Sequence, residues 1–255
     1  LSTAQFASIQ ADELAAMGTA QFVAMTSDQL AALTSDQAAA LQSADVAALS
    51  VAQIRALTPD TVANLSDSVI AGLTTQQVGA LSNLQLAQMS DAQIAAMETR
   101  DVAALGLPQV AALSQSQLQA MGTAQLAAFT SRQVGVLTTA QIAALAPESL
   151  AALGTQQYTG LTTAQIAAIS TQQASGLETA DVAALTSSQL RAFSNDATAA
   201  LSTAAIAGLS GTQLASLRTD QIAALRDEQV SGIASEDIAS LTTAQLAALS
   251  NAQID

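Results

Sequence analysis

The chain of 255 residues carries six cations, all Arg, against 20 Asp and Glu, for a formal net charge of −14, and it contains no Cys, His, Lys or Trp. With no imidazole and no thiol there is no histidine base, no thiolate nucleophile, no disulfide and no zinc site, and an acidic chain without a basic cluster is not expected to bind nucleic acid or anionic membrane. Half of the residues are hydrophobic, but 61 are Ala and only 2% are aromatic, and polar residues break every apolar run well short of the ~18 needed to span a bilayer.

From Leu1 onward, Leu or a close substitute falls every eighth residue without an insertion: Leu1, Ile9, Met17, Met25, Leu33, Leu41, Leu49 and so on to Leu241 and Leu249, 32 registers in all. With the Leu position labelled a, the octad a to h reads L-[ST]-T-A-Q-[IVL]-A-A, nearly pure at Leu161 to Ala168 and Leu241 to Ala248. Slot b is Ser or Thr in 20 of 32 registers and slot e is Gln in 22. The b-to-e spacing is that of a capping box, in which the hydroxyl accepts the backbone N–H three residues on and the Gln returns to the cap's own N–H. Slots a and f then form the apolar staple across the cap.

Every octad therefore predicts a helix start, and departures met along the chain agree. Pro59 and Pro147 stand in slot c, the first helical position, where a missing N–H costs nothing, and 19 of the 20 carboxylates lie in slots b to e, where a helix dipole favours them. Asp60 to Gly72 is a weaker stretch, with Thr61 and Val69 in slot e. Tyr158, in slot f, reads as a size variant of the core. Phe193 to Ala200 lacks both the Gln and the slot-f aliphatic. Asp255, in the usual Ala slot g, is the single hint of a changed ending.

Three backbones compete for this pattern. A continuous helix carries the Leu stripe round its axis, because eight residues overshoot two turns by about 80°. A strand puts a and f on opposite faces, and β-solenoid stands second only on the general habit of short repeats. The reading that fits is an all-α solenoid or superhelix of helices of about five to seven residues, one per octad, turning at a and b. So short a helix does not persist alone, and stacked neighbours must supply the burial. Slots a and f are expected inside and b to e outside. Slot h, which is small almost throughout, should face a close contact, with slot g partly open. The register allows one uninterrupted array over 1–255, a segment of a longer one, and leaves the number of octads per turn open.

The octad resembles the L-T-x-x-Q-[IV]-A-A tracts of very large secreted or surface proteins of bacteria, some of which also carry glycine-rich calcium-binding repeats. The resemblance covers the whole chain and implies an extracellular, extended, non-catalytic module. The LTxxQ helix starts of periplasmic stress chaperones, matched at Leu73 or Leu137, share only five residues and continue as long helices.

No catalytic, cofactor-binding or metal-ligating residue is assigned. A serine nucleophile would need a base, and the carboxylate pairs Asp12/Glu13, Asp227/Glu228 and Glu236/Asp237 lack the spacing of a calcium loop. The sequon Asn64-Leu65-Ser66 occurs once, as chance allows. The expected role is structural, an extracellular filament, stalk or spacer at the cell surface. The alternative is an adhesive face of Ser, Thr and Gln for polysaccharide, solid surfaces or ice. Partners are copies of the chain itself, end to end or side by side, because the first and last octads present Leu1, Phe6, Ile9, Leu246 and Leu249 with no polar capping repeat.

Overall fold

A Ser or Thr in slot b starts a helix in the way the octad predicts. At Ser90 the hydroxyl accepts the Gln93 N–H at 3.1 Å, and Gln93 Oε1 accepts the Ser90 N–H at 2.8 Å. The helix that follows, Asp91–Ala96, ends when the Met97 N–H closes on the Ile94 carbonyl at 3.2 Å. Met97 (φ −64°, ψ 142°) and Glu98 (φ −76°, ψ 153°) are both extended, and the next helix begins at Thr99. The corner is thus two extended residues at a and b. Among the described residues none has a positive φ, so the turn makes no demand for glycine.

The computed structural model describes residues 1–254. They form 32 helices of four to six residues and no strand, from α1 (Thr3–Ala7) to α32 (Asn251–Ile254), one per octad. Asp255 lies outside the described residues. Pro59 and Pro147 open their helices as expected, and Pro108 sits one place further in.

The chain forms two compact units, Leu1–Ala128 and the residues from Phe129 onward. Each is a solenoid with three octads to the coil. In the first, α2 (Ala11–Ala15), α5 (Ser35–Ala40), α8 (Pro59–Ala63), α11 (Asn83–Gln88) and α14 (Leu107–Ala112) pack in succession as one column. In the second, α17 (Ser131–Gly135), α20 (Thr155–Gly160), α23 (Thr179–Ala183), α26 (Thr203–Ala207) and α29 (Asp227–Ser231) do the same. Slots a and f fill the interior of both units, as with Leu73, Val78, Leu86, Met89 and Ile94 in the first and Tyr158, Leu161, Ile166 and Phe193 in the second.

Slot h faces the coil before it. A Cβ on Gly72 would lie 3.0 Å from the Ser43 Cβ, in slot c three octads earlier. Slot g leans over the coil that follows and is partly open as expected, exposed or half-buried at every described position. At α17 and α20 two glycines let the backbones approach: a Cβ on Gly135 would stand 2.9 Å from the Gly160 carbonyl oxygen, and one on Gly160 would stand 2.8 Å from the Ser131 carbonyl carbon and overlap its oxygen. At Gly79 the nearest atom is the Ala104 oxygen at 3.6 Å, an ordinary contact. Gly160→Ala is therefore expected to cost about 1 to 3 kcal/mol by overpacking, whereas Gly79→Ala stabilises by up to ~1 kcal/mol through helix propensity. Paired denaturation curves check this, and a sign reversal at either position would refute the contact assignment.

Candidate functional site: the buried amide ladder

A helix of five or six residues is nearly all ends. Its first N–H groups and last C=O groups have no partner within the helix. The capping box settles the first end. The second end has no left-handed residue to fold the chain back onto its carbonyls. The donor comes instead from the slot-e Gln of another octad. Gln77 Nε2 donates to the Val46 and Leu49 carbonyls, both at 2.8 Å, Gln85 Nε2 to Ile54 and Leu57 at 2.9 and 2.8 Å, and Gln173 Nε2 to Ile142 and Leu145 at 2.9 and 2.8 Å. The acceptors lie 31 and 28 residues back, in slot f of the helix four octads earlier and in the slot a that follows it. One amide therefore holds the start of its own helix through Oε1 and the end of a helix in the preceding coil through Nε2.

This corrects the expectation that slots b to e lie outside. Slot b is at the surface, but the slot-e Gln is buried, with Gln77 2%, Gln85 1% and Gln221 0% exposed. An amide tolerates burial when its oxygen and both N–H donors are satisfied, as they are here. The signal was present in the sequence. A capping box and a helix dipole accept Glu as readily as Gln, yet slot e holds 22 Gln and one Glu in an acidic chain, so the amide's donor must be in use.

Three octads invert the arrangement around a buried carboxylate. Asp45, Asp101 and Asp181 occupy slot e, and their slot b holds Gln42, Glu98 and Glu178 in place of Ser or Thr. Each Asp is buried and accepts a hydroxyl from slot c three octads earlier, from Thr19 at 3.1 Å, Thr75 at 2.7 Å and Thr155 at 2.7 Å. A carboxylate cannot cap the carbonyls that a Gln would reach. Beside Asp45, the Gln42 amide donates to the Ala15 carbonyl at 3.1 Å, and beside Asp181 the Tyr158 hydroxyl donates to the Leu150 carbonyl at 2.7 Å. Tyr158 is in the core as its slot predicts, and it also does the work of the missing amide. Burial, followed by the charges of Asp181 and Glu178, pushes its phenol pKa up and keeps the donor protonated. Asp181 is itself pushed above the usual carboxylate range, by burial first and by Glu178, with the Thr155 hydrogen bond opposing. Asp101 Oδ2 is buried with no hydrogen-bond partner among the described residues.

The stretches read as weakest form helices like the rest, α8 and α9 (Asp67–Ala71) over Asp60 to Gly72 and α25 (Asn195–Ala200) over Phe193 to Ala200. In α25 the slot-f Thr198 hydroxyl accepts from Gln221 Nε2 at 3.1 Å. Arg218 and Arg226, in slot b, donate to the Phe193 and Leu201 carbonyls of the coil before and pair with Asp220 and Glu228. Of the carboxylate pairs, Glu13 accepts the Gln10 N–H at 3.2 Å, Glu228 faces Arg226 at 2.8 Å and Glu236 is exposed. The described residues contain no group of three or more His, Cys, Asp or Glu placed to hold a metal ion, and no helix long and apolar enough to cross a membrane.

Gln85→Glu keeps the N-cap acceptor but sets a buried anion against two carbonyls. It is expected to cost about 2 to 4 kcal/mol at neutral pH. Its folded-state pKa is raised, so the loss recovers as pH falls through that pKa and the protonated carboxyl donates again. Urea midpoints from neutral to acid pH check this, and a pH-independent variant would contradict it. At Asp181 the raised pKa means that the protonated carboxyl suits the fold better than the ionised one. Asp181→Asn should therefore raise the thermal midpoint at pH 7, with the gain shrinking as pH falls into the carboxylate range.

The octad has relatives. The model of the ALTTAQ repeat matches residues 6–43, 38–75, 110–147, 174–210 and 199–227, which together make up more than half of the chain. Its six letters read as slots h to e, as in Ser240-Leu241-Thr242-Thr243-Ala244-Gln245. A match such as 6–43 is long enough to hold both a slot-e Gln and the carbonyl it caps 31 residues before. No curated protein matches the chain. On the strength of these matches, this chain belongs to the ALTTAQ repeat family.

Proposed function

We propose that the chain is a non-catalytic structural module, a spacer, stalk or filament segment outside the cell, whose reach is set by the number of octads. One observation carries the reading: the recurrent polar residues are occupied in holding one coil to the next. The slot-b hydroxyl caps its own helix, and the slot-e Gln joins two helices in successive coils. An adhesive face would need outward rows of those residues, and the buried Gln rows are not available for it. Each coil offers the next the same donors, carbonyls and apolar slots, which suits head-to-tail addition of further copies. The likeness to octapeptide tracts of large secreted bacterial proteins supports a place outside the cell.

The test is length. Versions carrying one, two and three additional consensus coils, each of three octads, are expected to lengthen by a constant increment per coil in electron micrographs. A particle that grows equally in all directions would overturn the proposal.

A further inference from the structure

A repeated interface is degenerate. A slot-e Gln finds the same kind of carbonyls whichever octad lies beneath it. If one octad loops out, the next three octads pair four back in place of three, and the apolar slots and the amide bonds are preserved. Strands face the same hazard when their pattern does not specify a register. The consensus octads carry nothing against it.

The three inverted octads differ. Asp45, Asp101 and Asp181 are buried carboxylates that take a hydroxyl from Thr19, Thr75 and Thr155, in slot c three octads earlier. One octad further back, slot c holds Ala11, Asp67 and Pro147. None of these side chains offers a hydroxyl or amide donor, and Asp67 would bring a second negative charge. We infer that the inverted octads are register keys, which select the three-octad coil because a slipped pairing strands a buried carboxylate without its donor. The discrimination has a direction. Pairing two octads back would meet Ser27, Asn83 and Thr163, all of them donors, so the keys act against slips that lengthen the coil. They stand in both units, Asp45 and Asp101 in the first and Asp181 in the second. Each key acts on slips within the coil immediately before it.

Deletion of whole octads from the full chain tests this. Removing Met89–Ala96 sets Asp101 opposite Asp67. Removing Leu49–Ala56, an octad of the same kind in the same unit, leaves every key with its own Thr. The first deletion is expected to lower the thermal midpoint by several degrees more than the second. Asp67→Thr within the first deletion returns the hydroxyl and should close that gap, while giving no gain in the undeleted chain. Glu98→Thr with Asp101→Gln, which removes the key and restores the consensus octad, should also close the gap. If the first deletion fails to fold at all, recovery of the helical circular dichroism signal by either rescue supports the inference, and failure of both overturns it. Equal midpoints for the two deletions would overturn it as well.

Discussion

Everything in this fold depends on what becomes of the backbone groups at the ends of very short helices. In a long helix the unpaired N–H and C=O groups are a small fraction of the whole and water meets most of them. Here the helices have four to six residues, so end groups dominate, and many lie beside a core that excludes water. A glutamine is suited to the problem because its one planar group accepts on one side and donates on the other. Gln93 shows the complete set, with the Ser90 N–H on its oxygen and the Val62, Ala63 and Leu65 carbonyls on its nitrogen.

The corner makes this dependence unavoidable. Residues in slots a and b are extended and need no special conformation, which suits a position that is Leu in most octads. The cost is that the chain never doubles back over its own helix end, as a glycine-capped helix does. The carbonyls must then wait for a donor that arrives 28 to 31 residues later, one coil on. Local geometry and stacking are two halves of one requirement, and an octad without neighbours has an unfinished backbone.

Much of the fold could be read from the sequence. The eight-residue period, the cap at slot b, the prolines at the helix start and the staple positions each had a local cause, and local causes are visible in a linear string. The coil number was not, because the octad is the same on all three sides and nothing in it counts to three. The glutamine is legible only in part: the capping box accounts for its oxygen locally, whereas the carbonyls that take its N–H groups lie 28 to 31 residues away, so local reasoning sets slot e outside with the other polar slots. Tyr158 is legible in the same partial way: its ring suits the core, but the reason for its hydroxyl lies 23 residues away, where Asp181 leaves the Leu150 carbonyl without an amide.

The ladder that joins the coils is built of neutral groups. Amides, hydroxyls and backbone carbonyls neither titrate in the range where proteins live nor attract a screening atmosphere of ions. The charged residues are mostly confined to the surface of the first turns, so changes of salt or acidity act mainly on that outer layer while the hydrogen bonds between coils keep their partners. Coils joined this way keep the same bonding in brine and in fresh water, and Asp181, held above the usual carboxylate range by its burial, is a place where acidity reaches the interior.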